Sequence, residues 1–200
     1  MNLRLPVLIS VTLTVISAWA FRPILSQTDT LHIATTHVAS PAAVTVVVPK
    51  SYLQPGDTAR YPTVYLLNGY DGDHTSYCKS IPLDSLADSN NVIFVCPDGR
   101  DSWYFDSPAD PAMQMESYIT REVIAAIDKR LRTRADRSNR AIAGLSMGGH
   151  GALWIAMRHP DMFASAGSMS GAVDINMPKF HNRWKIKQWL GSYESAPQIW

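Results

Sequence analysis

The feature that most constrains this chain is the segment at residues 141–152, which reads AIAGLSMGGHGA. A short apolar run passes through Gly-x-Ser-x-Gly into helix-forming residues, and a single serine, Ser146, stands at the turn. This layout is typical of a β-strand, a tight turn and an α-helix. On such a turn the serine hydroxyl projects from the sheet edge, and the N–H of Met147 points at the same place. The segment therefore indicates a nucleophilic serine with a backbone hydrogen-bond donor beside it.

Two glycines, Gly144 and Gly148, flank this serine. Side chains there would collide in so tight a turn, and glycine also tolerates unusual backbone angles. The helix that follows directs the positive end of its dipole at any anion that forms beside the serine. Small residues cluster in many turns, so the alternative is a glycine-rich connection with an incidental serine. The apolar run before the turn and the helical residues after it favour the nucleophile.

Length and composition bound the remaining possibilities. A chain of 200 residues is long enough for one domain with a sizeable core, and its hydrophobic fraction of 46% is that of a globular protein. The net charge of +1 gives no electrostatic argument for binding nucleic acid or an anionic membrane. No cluster of side chains has metal-ligand spacing. We therefore expect neither a metal nor another cofactor.

The first residues have the pattern of a secretory signal peptide. Residues 1–4 carry one positive charge, residues 5–20 are almost wholly apolar or small, and Ala18-Trp19-Ala20 matches a small-x-small cleavage site. An uncleaved membrane anchor is the alternative, but the run is short for a span of ~20 residues. We expect a signal peptide at 1–20, with cleavage as late as residue 26, and one folded domain at 21–200. The mature protein would be secreted or periplasmic, without stable insertion in the membrane.

Export would permit a disulfide between the two cysteines, Cys78 and Cys96. Cys96 ends an apolar run and is expected at the tip of a buried strand. The sequence leaves open whether the two thiols pair, because pairing depends on geometry.

The rest of the chain alternates between strand and helix patterns. Apolar or β-branched runs predict strands at 44–49, 63–67, 92–96 and 163–169, besides the one before Ser146. Helices are predicted at 83–88, 115–131 and 183–190, besides the one after Ser146. This alternation indicates an α/β fold with a mostly parallel sheet and helices on both faces. Sites in such sheets collect at the carboxyl ends of the strands, which here are the loops at 68–73, 97–106 and the Ser146 turn.

Four stretches together resemble a known family. They are VYLLNGY at 64–70, FVCPDG at 94–99, SWY at 102–104 and GLSMGGHG at 144–151. Their order and spacing resemble the "putative esterase" family of the α/β-hydrolase fold, which includes esterase D, S-formylglutathione hydrolase, feruloyl esterases and the antigen 85 mycolyltransferases. The resemblance covers roughly residue 44 to the end of the chain.

This resemblance implies roles for particular residues. Ser146 would be the nucleophile, and the backbone N–H groups of Met147 and Tyr70 would form the oxyanion hole. Trp103 and Tyr104 would wall the acyl pocket, or would be ordinary packing under a loop. His150 is interpreted as structural.

The chain also departs from the family pattern. A serine nucleophile needs a histidine base and an orienting carboxylate, which in this fold follow it in the order Ser, acid, His. The histidines after Ser146 are His150, His159 and His181, and none lies in the family's context for the base. The last residues resemble the start of a helix. We therefore expect an N-terminal part of a family member, without the C-terminal strand and helices that would hold the acid and the base.

These observations predict an exported serine carboxylic-ester hydrolase that works through an acyl-enzyme. The substrate would be a small-molecule or glycan-linked acyl ester, and export together with the resemblance favours a feruloyl or acetyl group on a polysaccharide. Two alternatives stay open. The chain could be a catalytically inactive module that binds a glycan or a protein, or it could transfer the acyl group to an alcohol instead of water.

Overall fold

The computed structural model describes residues 24–177, 183–184, 186–192, 194 and 197. Its centre is one six-stranded sheet, in which the strands lie in the order β1-β2-β4-β3-β5-β6. The strands are β1 Thr28–Ile33, β2 Ala42–Val47, β3 Thr63–Leu67, β4 Ile93–Pro97, β5 Arg140–Leu145 and β6 Ser165–Met169. The predicted signal peptide at 1–20 and His181 lie outside the described residues.

Helices follow most of the strands. They are α1 Ser76–Ser80, α2 Leu83–Asn90, α3 Met115–Ser117, α4 Ile124–Arg130, α5 Met147–Arg158 and α6 Ile186–Leu190. A π-helical segment, Tyr118–Val123, joins α3 to α4, and short 3-10 turns lie at Lys50–Leu53 and Arg137–Asn139. No helix among the described residues is long and apolar enough to cross a bilayer.

The sheet is parallel at its centre and antiparallel on one side. β3 pairs in parallel with both β4 and β5, and β5 pairs in parallel with β6. β2 runs antiparallel to both β4 and β1. The prediction of a mostly parallel α/β sheet is confirmed. β1 was not predicted, because its alternation leaves only Leu31 and Ile33 buried, which is a weak signal.

Both faces of the sheet are covered by helices. One face buries a small cluster against α1 and α2: Val47, Leu66, Tyr77, Leu83, Ala87 and Cys96. The other face carries the larger core, in which Tyr65, Ile93 and Ile142 from the central strands meet α4 and α5 residues such as Ile127 and Ile155. Burial on both sides explains why the central strands read as continuous apolar runs.

The predicted helix at 115–131 contains a π-helical turn. Its apolar residues recur every four positions, and Met115, Ile119, Val123 and Ile127 are all fully buried. In a regular α-helix each step of four residues overshoots a full turn by about 40°, so such a stripe would drift around the helix. The wider π-helical turn at 118–123 takes up the extra residues and keeps the stripe on the core.

β6 is the last strand of the sheet among the described residues. Its side chains are mostly exposed, and Met169 and Leu145 at this end of the sheet are 47% and 48% exposed. Both cysteines are free, with Cys78 exposed on α1 and Cys96 buried on β4.

A buried carboxylate joins α3 to the far end of α5. Glu116 accepts hydrogen bonds from Trp154 Nε1 at 2.7 Å, from Arg158 Nε at 2.9 Å and from His159 Nε2 at 2.8 Å. Burial by itself raises the pKa of Glu116, but the bonds from Arg158, Trp154 and His159 outweigh burial and hold the pKa below its ordinary value. The ionised form of Glu116 therefore stabilises the fold.

This cluster predicts a pH-dependent loss of stability. Because the folded pKa of Glu116 is lowered, its contribution is present above the unfolded value of 4.5 and is lost as pH falls through the folded pKa. Glu116→Gln should reduce the free energy of unfolding by about 1–2 kcal/mol at pH 7, and the difference from wild type should shrink below pH 4.5. Urea unfolding of both proteins between pH 3 and 7 measures this, with the exposed Asp161→Asn as the control. A difference that does not change with pH would contradict the role of the charge.

Candidate active site

Ser146 occupies the turn between β5 and α5 in a strained conformation. Its φ is 54° and its ψ is −115°, a backbone conformation that residues other than glycine rarely adopt. The Ser146 N–H donates to Met169 O at 2.8 Å, and the N–H of His150 donates to Ser146 O at 3.0 Å. The serine itself is exposed. The turn thus presents the hydroxyl at the carboxyl edge of the sheet, as the sequence pattern predicts.

The turn depends on an unusually close contact between α5 and the neighbouring strand. A Cβ atom on Gly148 would lie 1.9 Å from Leu67 O, at the end of β3. A Cβ atom on Gly144 would lie 2.1 Å from Gly148 O. Neither position has room for a side chain, because the clashing atoms are backbone atoms of the sheet and the helix.

We therefore predict that Gly148→Ala disrupts the site and the fold together. The methyl group would force α5 away from β3, at a cost of about 3 kcal/mol or more. Gly167→Ala is the matched control, because its Cβ would meet only the Ala143 Cβ atom, at 3.3 Å. Chemical denaturation should show a large decrease in the free energy of unfolding for Gly148→Ala and a small one for Gly167→Ala. Equal decreases would contradict the steric role of Gly148.

Two backbone segments meet beside the Ser146 hydroxyl. Met147 is the first residue of α5, so its N–H belongs to the helix-terminal donors that lack an acceptor within the helix. On the other side, a Cβ atom placed on Gly69 would lie 3.6 Å from Ser146 Cβ and 3.3 Å from Leu145 O. The loop that carries Tyr70 therefore adjoins the serine. The two segments from which an oxyanion hole of two backbone donors would draw its N–H groups therefore adjoin Ser146.

The Tyr70 loop is fixed by hydrogen bonds to its surroundings. Gly72 N–H donates to Gly69 O at 3.0 Å and closes a tight turn. Asp71 N–H donates to Asp101 Oδ1 at 2.8 Å, which ties the loop to the one after β4. The side chain of Tyr70 is half-buried against the core, and burial, together with the nearby charges of Asp101 and Asp71, raises the pKa of its phenol. The predicted gathering of three loops at one sheet edge is what the structure contains.

Trp103 and Tyr104 lie beneath the site. Both have positive φ, 58° and 63°, and both side chains are buried. Trp103 Nε1 donates to Trp184 O at 3.3 Å, and its ring meets the His150 ring edge-on at 5.6 Å. Tyr104 is fully buried, and its hydroxyl donates to Asn68. Of the two roles that the sequence left open, this placement favours packing under a loop.

His150 lies one helical turn beyond Ser146 and faces the core. Its Nδ1 lies 2.8 Å from Ala172 O, a distance at which the ring donates its proton to the carbonyl. Trp103, Phe105 and Trp154 surround the ring. Burial lowers the pKa of His150, so the imidazole is neutral at pH 7. This environment is that of a structural histidine, in agreement with the interpretation from sequence.

The described residues place no other histidine against Ser146. His159 follows the last turn of α5, about 20 Å along the helix from the serine, and its Nε2 bonds Glu116. Asp174 is exposed and caps a local turn through the N–H of Asn176. Nor does this part of the chain contain a group of three or more His, Cys, Asp or Glu side chains that could hold a metal ion.

Comparison with known proteins identifies the family. The model of the family described as "Putative esterase" matches residues 36–198 of the chain. The chain belongs to this family. An esterase of Mycobacterium tuberculosis is 32% identical over 137 residues, which cover 66% of this chain and 29% of that protein. An endo-1,4-beta-xylanase/feruloyl esterase of Xylanibacter ruminicola is 34% identical over 137 residues, which cover 62% of this chain and 19% of that protein.

A solved structure supports the fold. An S-formylglutathione hydrolase from Agrobacterium tumefaciens superposes with a TM-score of 0.74 at 23% identity, over 87% of this chain and 70% of that one. The α/β-hydrolase fold that the sequence predicted is thereby confirmed. The chain spans less than a third of the length of these two curated relatives.

Proposed function

We propose that this protein is a serine carboxylic-ester hydrolase that works through an acyl-enzyme. One observation carries the proposal: the strained Ser146 turn exposes a hydroxyl between the α5 N-terminus and the Gly69–Tyr70 backbone. Neither the strained serine nor the two glycine contacts at the turn are needed by a module that only binds. Strain of this kind persists where the surrounding structure enforces it, and it clusters at active sites.

The reaction would begin with attack of Ser146 Oγ on the carbonyl carbon of the ester. The carbonyl oxygen becomes an oxyanion, which the N–H groups of Met147 and Tyr70 would stabilise, each by about 3 kcal/mol. Collapse of this intermediate expels the alcohol and leaves an ester on Ser146. Attack of water on that ester, through a second oxyanion at the same place, releases the acid and restores the serine.

The serine proton must pass to a base, and the described residues supply none in contact with Ser146. His150 is enclosed by aromatic rings, and His159 is bound to Glu116 at the other end of α5. We propose that the base and its orienting carboxylate come from residues outside the described part of the protein. The backbone half of the site is independent of them, because it is held by β3, β5 and α5.

We further propose that the substrate is an acyl ester of a small molecule or of a glycan, and that the protein acts outside the cytoplasm after removal of its signal peptide. The similarity to a protein named as an endo-1,4-beta-xylanase/feruloyl esterase supports a feruloyl group on a polysaccharide. The pattern of residues 1–20 supports export. Trp103 and Tyr104 would then support the floor of the acyl pocket from below, since both are buried.

The direct test is hydrolysis of p-nitrophenyl acetate by the mature protein, with the segment that supplies the base, and by its Ser146→Ala variant. We expect kcat/KM to fall by 10³-fold or more in the variant, because loss of the nucleophile removes the covalent route. Ser165→Ala is the matched control, since Ser165 is an exposed serine at the opposite end of β6 from the site. Its activity should equal that of the wild type.

The outcomes separate the candidate functions. Equal background rates for that protein and its Ser146→Ala variant would contradict hydrolysis at Ser146 and would favour the binding module. If turnover depends on Ser146, methyl ferulate and an acetylated xylan oligosaccharide then test the proposed substrate class. An added alcohol that accepts the acyl group in preference to water would identify an acyltransferase instead.

A further inference from the structure

Asn68, the residue before the Gly69–Tyr70 pair, is held by hydrogen bonds to the loop after β4. Asn68 is almost fully buried. Its Oδ1 accepts from Gly99 N–H at 2.9 Å and from the Tyr104 hydroxyl at 3.1 Å, and its Nδ2 donates to Gly69 O at 3.0 Å. The Asn68 backbone carbonyl lies at the same distance, 3.1 Å, from the Tyr104 hydroxyl, so the one hydroxyl proton is shared between the two Asn68 oxygens. The start of the Tyr70 loop therefore has little freedom to move.

Tyr104 connects this residue to the helix that carries the nucleophile. A Cβ atom on Gly151, in the second turn of α5, would lie 2.3 Å from Tyr104 Cδ2. A Cβ atom on Gly99 would lie 2.1 Å from the Tyr104 hydroxyl oxygen. The ring thus fills a slot between two glycines, with one edge on α5 and its hydroxyl on Asn68. It acts as a rigid spacer between the serine helix and the Tyr70 loop.

We propose that Tyr104 and Asn68 are positioning residues that set the Tyr70 N–H against the oxyanion formed at Ser146. The inference rests on the proposed esterase function, and it assigns the buried tyrosine a part in the reaction without contact with the substrate. Tyr104 is 0% exposed, so it cannot line a pocket. Burial also holds the pKa of its phenol well above the ordinary value, so the hydroxyl keeps its proton and donates at every working pH.

The energetic reason is the steep dependence of electrostatic stabilisation on geometry. A backbone donor is effective only at about 2.7–3.1 Å from the oxyanion, and a misplacement of about 1 Å costs on the order of 10²-fold in rate. The Tyr70 N–H and the Met147 N–H come from different parts of the chain. Their separation must therefore be fixed by something that touches both parts, and Tyr104 does so through Asn68 and Gly151.

The test compares two variants that lose the same chemical group. Tyr104→Phe removes the hydroxyl from Asn68. Tyr118→Phe removes a hydroxyl that is equally buried but donates to Ala42 O at 3.3 Å, on β2 and away from the serine. Both should lower the urea midpoint by a similar amount, because each loses one buried hydrogen bond. Only Tyr104→Phe should lower kcat for p-nitrophenyl acetate, by about tenfold, with KM unchanged.

Equal kcat values for Tyr104→Phe and Tyr118→Phe would overturn the proposal while leaving the esterase function intact. Amide hydrogen exchange of residues 69–72 provides a readout that does not depend on turnover. Faster exchange there in Tyr104→Phe than in Tyr118→Phe would support the positioning of the loop. This readout holds even if wild type and Ser146→Ala are equally inactive, because equal inactivity would refute the esterase function alone. Equal exchange in the two variants would overturn the positioning role.

Discussion

The contact between Gly148 and the carbonyl of Leu67 is the constraint on which the site depends. It brings the first turn of α5 against the end of β3, closer than any residue with a side chain would allow. The positive φ of Ser146 follows, because the chain must leave β5 and enter α5 within one residue. Strain of this kind costs about 1–3 kcal/mol. It is sustained because β5 is paired on both sides, with β3 and with β6.

α5 is anchored at both ends by different chemistry. At its start, the His150 ring packs among Trp103, Phe105 and Trp154, and Nδ1 bonds the Ala172 carbonyl. At its end, the ionised Glu116 binds Trp154, Arg158 and His159. The helix therefore cannot tilt or slide without breaking buried contacts. A rigid helix keeps its N-terminal donors in place, and preorganised donors need no reorganisation as charge develops.

Much of this fold was predictable from the sequence, and the misses have physical causes. The bounds of β3 are those predicted, because a central parallel strand is apolar throughout. The arginine-rich segment at 132–140 contains ion pairs with distant residues. Arg140 is buried and its Nη2 bonds Asp128 Oδ2 at 2.7 Å, while Arg132 Nη2 bonds Asp57 Oδ2 at 2.8 Å. Pairing across 12 or 75 residues leaves no trace in local periodicity.

The same distinction applies to the candidate site: some of its features depend on residues adjacent in the sequence, and others depend on residues far apart in it. The serine turn can be recognised in the sequence because the apolar run, the spaced glycines and the helical residues are contiguous in the chain. The burial of Tyr104 cannot be recognised in this way, because it depends on space left by Gly99 and Gly151 elsewhere in the chain. A Ser-Trp-Tyr stretch in a loop is equally compatible with a pocket wall and with packing. The left-handed backbone at Trp103 and Tyr104 was not predictable either, because neither residue is a glycine.

The two halves of a serine-hydrolase site differ in how they are encoded. The oxyanion half consists of backbone N–H groups, so its geometry follows from the packing of β3, β5 and α5. Side chains affect it in two ways: Gly148 permits the close packing because it has none, and Tyr104 acts as a spacer. The proton-transfer half needs particular side chains brought from elsewhere in the chain. The proposed first half can therefore be held in place within residues 63–158, whatever segment supplies the base.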